Sequence, residues 1–147
     1  MTYTAYAVSV EAAWVDFNGH MTDSAYAVAC SAANEAFLEH LGMSAAYRAS
    51  RGLALYTVEA TLRWLRECHL GDQLRARSRV LSYDTKRLRI QTTLIAAASD
   101  ESVFAGEYTY LHVGPDGVAA IPEDRRLVLA AAADAAEADA TAADESP

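Results

Sequence analysis

The sequence predicts an α+β domain in which an antiparallel sheet curls around one long buried helix. Three observations carry this expectation. Residues 23–41 place apolar side chains over most of a helical circumference, the pattern of a helix enclosed by other elements. Four strand-like runs follow, joined by connections short enough for antiparallel neighbours. A chain of 147 residues, 52% of them apolar, suits one domain with its own core, and no internal repeat marks a second.

The first run, residues 3–10, sets Tyr6, Val8 and Val10 on one side at a period of two and reads as a strand. In the helix, Tyr26, Ala29, Cys30, Ala33, Phe37 and Leu41 recur at steps of three and four. Thr22 is the expected N-cap, Asp23 suits the first turn, and Gly42 is the expected stop. Residues 43–52 read as a polar or mobile link. Leu53–Arg66 is long and rich in strand formers, and Gly71-Asp72 marks a turn. Residues 73–83 alternate Leu74, Ala76, Ser78 and Val80 against Arg75, Arg77 and Arg79. Asp84-Thr85 leads to a run over 86–98, and a polar turn over 99–102 leads to another over 103–113. Pro115-Asp116-Gly117 closes the series. The expected division is a sheet-and-helix body over 1–121, a C-terminal helix over 122–135 opened by Pro122, and an acidic disordered tail over 136–147. The tail has no aromatic or branched aliphatic residue to bury.

The net charge of −8 is concentrated at the C-terminus, where Asp134, Glu137, Asp139, Asp144 and Glu145 follow Ala132 with no base among them. The mildly acidic body argues against nucleic acid as a partner, because phosphate binding needs a basic face. Cys30 and Cys68 have no metal-like spacing, and Cys30 falls in the apolar helix as a small buried hydrophobe. No basic n-region with an apolar h-region and no stretch of membrane-spanning length is present, so the expectation is a cytoplasmic protein without a membrane partner. No G-x-S-x-G elbow, H-E-x-x-H pair, phosphate-binding glycine loop or Cys/His metal spacing occurs. Neither a metal nor another cofactor is expected.

The chemistry-bearing segment is Trp14-Val15-Asp16-Phe17-Asn18-Gly19-His20-Met21, just before the helix. Amides at a helix N-terminus lack intrahelical acceptors, and the macrodipole favours negative charge there. Such an entrance can bind an oxyanion while holding a carboxylate near the atom attacked. The competing reading is structural: Asp and Asn cap helices, and Asn-Gly makes turns. Asn18 either holds water or the Asp16 carboxylate, or shapes a turn. Glu59 interrupts an otherwise apolar and Thr-rich strand, as a second site carboxylate or as a solvated position. Glu35 on the helix is a further candidate acid. Arg63, Arg66, Lys86, Arg87 and Arg89 are candidates for phosphate contacts, against an ordinary solvated strand face. Trp14, Phe17, Tyr56 and Trp64 are candidates for an aromatic box around a quaternary ammonium, against a role in the core or an interface.

The element order and the Asp16–Met21 run resemble the hotdog-fold acyl-CoA thioesterases of the 4-hydroxybenzoyl-CoA thioesterase-like group. A second stretch matches, Tyr56-Thr57-Val58-Glu59 through Leu62-Arg63-Trp64-Leu65-Arg66 to Gly71-Asp72-Gln73-Leu74. The two runs together look most like the betainyl-CoA thioesterase branch. The resemblance implies hydrolysis of an acyl-CoA to acid and coenzyme A, with Asp16 attacking the thioester or activating water. It implies backbone oxyanion donors at the helix entrance, with Gly19, His20 and Met21 as candidates. It also implies a homodimer or homotetramer with sites at subunit interfaces. Two further readings are a dehydratase or hydratase of the same fold, and an acyl-CoA-binding domain without activity. The first needs a helix histidine paired with an acid, and His40 sits at the far end of the helix.

Overall fold

The computed structural model describes residues 2–144. Along the chain these form β1 (Ala7–Ser9), α1 (Asp23–His40), α2 (Ala45–Arg51), β2 (Ala54–Trp64), β3 (Gln73–Tyr83), β4 (Arg87–Ala96), β5 (Ser102–Gly114), β6 (Gly117–Val118) and α3 (Glu123–Asp144). The strands make one antiparallel sheet of order β1-β3-β4-β5-β2, with β6 folding back on the end of β5.

The alternation read in β3 sorts its side chains as expected. Leu74, Ala76, Ser78 and Val80 are buried, and the same period buries Leu88, Ile90 and Leu94 of β4 and Phe104, Tyr108 and Tyr110 of β5. α1 lies in the hollow of the sheet against β2, β3, β4 and β5. It buries Ala25, Tyr26, Ala29, Cys30, Ala33 and Phe37 there. Each large apolar side chain fully removed from water contributes about 1.5–3 kcal/mol. Gly106 on β5 lets the helix come close, since a Cβ there would stand 3.2 Å from Cys30 Sγ and 2.7 Å from a Tyr108 ring carbon. Cys30 and Cys68 are free and buried, and burial pushes the Cys30 thiol up to about 11. No described helix is long and apolar enough to cross a membrane.

Four features differ from the expectations. First, β2 and β3 are not neighbours: β2 pairs with β5 at one edge, and β3 lies on the far side of β4. A short link requires only that two strand ends be close, and curling of the sheet brings them together. Residues 65–72 therefore cross the open end of the sheet, over the entrance of α1. Second, α1 buries one face only, leaving Val28 54% exposed and Glu35 in solvent, because a single sheet covers a single side. Third, the expected link over 43–52 contains α2. It is anchored by buried Tyr47, whose hydroxyl lies 2.7 Å from Nε2 of buried His112. Fourth, α3 continues through the expected tail to Asp144. Alanine is the best helix former, Ala136 is buried, and the Asp139 carboxylate accepts the Thr2 N–H at 2.8 Å. Residues 145–147 of the expected tail lie outside the described residues.

Candidate active site

Val15 and Met21 pair as an antiparallel bridge, so residues 16–20 form a closed loop at the mouth of α1. The Asp16 N–H donates to His20 O at 2.9 Å and the Gly19 N–H to Asp16 O at 3.0 Å. Gly19 takes φ of 75°, a left-handed conformation that favours glycine. Asp16 Oδ1 accepts two further N–H groups of the loop, Asn18 at 2.9 Å and His20 at 3.1 Å. Its other oxygen, Oδ2, has no hydrogen-bond partner among the described residues, and the residue is exposed. One carboxylate oxygen thus shapes the loop while the other faces solvent.

The expected oxyanion donors are all engaged. The Gly19 N–H reaches Asp16 O, the His20 N–H reaches Asp16 Oδ1, and the Met21 N–H donates to Cys68 O at 2.8 Å. Between Asn18 and Ser24, the amide without a hydrogen-bond acceptor among the described residues is that of Asp23, the first residue of α1. The Thr22 and Ser24 amides on either side are satisfied by Trp14 O and Asp23 Oδ1. The signal for this donor was in the sequence, because with Thr22 as N-cap the next amide has no acceptor within the helix.

The crossing segment supplies the opposite wall. The Trp64 indole N–H donates to Asp23 O at 3.1 Å, and the Tyr26 hydroxyl donates to Arg66 O at 2.9 Å. Burial pushes the Tyr26 phenol up, which keeps it a donor. A depression of about 440 Å³ lies between them, lined by Met21, Asp23, Tyr26, Trp64, Leu65 and Arg66. Trp64 and Leu65 are each 49% exposed, so its walls are partly apolar. Arg66 is paired with Glu101 at 3.2 Å. A larger cavity of about 500 Å³ lies under α3 against Arg77 and Arg79. Its carboxylate, Asp139, is already bound to Thr2, whereas the depression at the entrance is lined by Asp23, whose amide is unpaired, and adjoins the Asp16 loop through Met21.

The structure disperses several other candidates. Glu59 and Arg63 stand opposite Thr109 and Ala105, on the sheet face turned away from α1. Glu59 shares a separate outer depression with Arg87, Arg89 and Glu107, and Arg89 reaches Glu107 at 3.4 Å. Tyr56 lies near the opposite end of β2 from Trp64, with its hydroxyl 3.3 Å from Arg48 Nη1. Eight residues of strand separate the two rings, roughly 26 Å. Phe17 is 97% exposed at the loop tip, and Trp14 is half-buried against the core. One chain alone therefore forms no aromatic box from these four.

A curled sheet cradling one helix, with an aspartate loop at the helix entrance, defines the hotdog class. The chain belongs to the thioesterase-like superfamily, whose family model matches residues 10–132. It is 35% identical over 119 residues to a betainyl-CoA thioesterase of Pseudomonas aeruginosa, covering 81% of this chain and 75% of that protein. It is 42% identical over 104 residues to the L-carnitine dehydrogenase/betainyl-CoA thioesterase of Agrobacterium fabrum. That match covers 71% of this chain but only 21% of the larger protein's length. Among solved structures, a Staphylococcus aureus protein in complex with CoA superposes with a TM-score of 0.85 at 24% identity, covering 91% of this chain and 85% of that one. This last likeness bears on the fold alone.

Proposed function

We propose that the protein hydrolyses an acyl-CoA thioester to the free acid and coenzyme A. The observation that carries this reading is the state of the helix entrance. One oxygen of Asp16 is tied to the loop and the other is free, and the first amide of α1 has no acceptor. Two routes fit this geometry. In the first, Asp16 Oδ2 attacks the thioester carbon, the C–S bond breaks with loss of the CoA thiolate, and water cleaves the mixed anhydride. In the second, Asp16 takes a proton from the water that attacks. In both, negative charge on the carbonyl oxygen is met by the Asp23 N–H at the positive end of α1.

For the acyl group we infer a small cation of the betainyl type. Asp23 and Glu67 line the depression, Asp16 stands in the adjoining loop, and the base in the lining, Arg66, is already neutralised by Glu101. The names of the relatives point the same way. The active unit is proposed to be a homodimer in a cytoplasmic setting. β2 is an open edge carrying Tyr56 (53% exposed), Val58 (56%) and Trp64 (49%), and pairing such an edge removes its exposed backbone and apolar surface. The outer faces and the aromatic residues dispersed in one chain would then meet a second copy.

The test is a panel of betainyl-, aromatic and straight-chain acyl-CoAs, followed by release of free thiol. Turnover fastest on betainyl-CoA is expected. Binding without thiol release, or a hydrated acyl-CoA as product, would replace this reading with one of the two alternatives.

A further inference from the structure

We propose that His20, His69 and Glu67 form a binding site for a divalent transition metal ion of the zinc type, and that its occupancy inhibits turnover by pinning the loop that holds Asp16. The site was invisible to spacing rules because its parts come from the entrance loop and from the segment that crosses the sheet.

The backbone brings the parts together. His20 and His69 are an antiparallel bridge pair, flanked by Met21 N–H to Cys68 O at 2.8 Å and Leu70 N–H to Gly19 O at 3.2 Å. Those two bonds straddle the pair, so the histidines occupy a non-hydrogen-bonded position, where facing side chains are closest. Their rings meet edge to face with centroids 4.8 Å apart. Glu67 is two residues before His69 and falls on the same side, with Oε2 4.0 Å from His20 Nδ1.

One ligand atom from each residue can be chosen so that all three lie within 4.8 Å of one another. A tetrahedral zinc centre with bonds near 2.05 Å needs ligand atoms about 3.3 Å apart. Rotations of exposed side chains can close the remainder, since His20, His69 and Glu67 are 40%, 57% and 73% exposed. Two imidazoles and a carboxylate leave a position open for water and suit zinc-type ions over calcium or magnesium. The backbone of each histidine is also tied to a carboxylate, the His20 amide N–H donating to Asp16 Oδ1 at 3.1 Å and the His69 amide N–H to Asp72 Oδ2 at 2.8 Å. An ion on the His20 ring would therefore lock the residue whose amide holds Asp16, and would add positive charge beside the nucleophile.

Co²⁺ is the probe, added to tag-free full-length protein. The expected result is the visible bands of a four-coordinate Co²⁺ centre, bleached by stoichiometric Zn²⁺, and a Zn²⁺-induced rise in Tm of about 5 °C at hundredfold excess over Kd. His69→Gln should keep the metal-free rate of thiol release while weakening Co²⁺ binding by about tenfold or more. Its turnover should also resist Zn²⁺ that inhibits the wild type. Glu67→Gln, an exposed substitution, provides a second binding variant. Absence of the bands, or equal affinity in wild type and both variants, would overturn the site. Binding without inhibition would overturn the proposed inhibition. The inhibition rests on the hydrolase reading, but the Co²⁺ spectrum does not. A protein that binds Co²⁺ and hydrolyses no acyl-CoA would refute that reading and leave the metal site standing.

Discussion

Asp16→Asn separates the two roles that the structure gives this side chain. Asparagine keeps an oxygen where Oδ1 stands, able to accept the Asn18 and His20 amides, so the loop should close as before. Two charge-assisted bonds at an exposed site become neutral ones, a loss of about 1 kcal/mol in all. For a domain of this size that is a fall in Tm of about 2–4 °C. The effect on chemistry should be far larger. An amide neither attacks a thioester nor takes a proton from water, and loss of a positioned base costs about 10²–10⁴ in rate. That corresponds to about 3–5 kcal/mol in the barrier. The assay is thiol release at saturating acyl-CoA, with KM and Tm measured on the same preparation. Asp16→Ala serves as the comparison, because it removes the acceptor as well and should lose about another 1 kcal/mol of stability. The expected pattern is that both variants are inactive while only the alanine form loosens the loop. An asparagine variant within about tenfold of wild type, beside an inactive alanine variant, would refute the reasoning. It would show that the loop needs an acceptor at residue 16 and no carboxylate.

Tyr47→Phe should lower Tm by about 3–8 °C, the cost of leaving buried His112 Nε2 without its donor. His112 Nδ1 lies 2.8 Å from Ala119 O and donates there, which in the neutral tautomer leaves Nε2 to accept from the phenol. An unchanged melting curve would mean that water replaces the phenol. A second expectation concerns pH. Arg51 holds the Asp124 carboxyl well below the usual carboxylate range. A lowered folded-state pKa stabilises the fold above the unfolded value, near pH 4, and that stability is lost as pH falls toward the folded value. Asp124→Asn should therefore melt below wild type at pH 7, with the gap closing under pH 4. A gap that stays constant down to pH 2 would rule out this pair as its source.

What the sequence revealed follows from how local each feature is. The alternation in β3 and the steps along α1 are set by residues two to four apart, and both lie where the pattern placed them. Gly42 ends α1 with φ of 72°, again a local demand. Features that depend on distant partners were not legible. The adjacency of β2 and β5 rests on the curl of the whole sheet. The helix α2 and the extension of α3 rest on contacts made far along the chain, Tyr47 with His112 and Asp139 with Thr2. The same limit applied inside the site. Residues 16–23 were recognisable as a helix entrance, but which amide stays free depends on where each of the others finds an acceptor. Cys68, forty-seven residues away, decides the fate of the Met21 amide. The opposition between a capping aspartate and a catalytic one, natural from sequence, rests on treating the carboxylate as a single acceptor. Its two oxygens are not equivalent here. Because Oδ1 is occupied by the loop's own amides, the side chain is held in one orientation, and that holds Oδ2 toward solvent at the mouth of the helix. The cap is thus the means by which the candidate nucleophile is positioned, and a substitution that spares the cap is the one that can expose the chemistry.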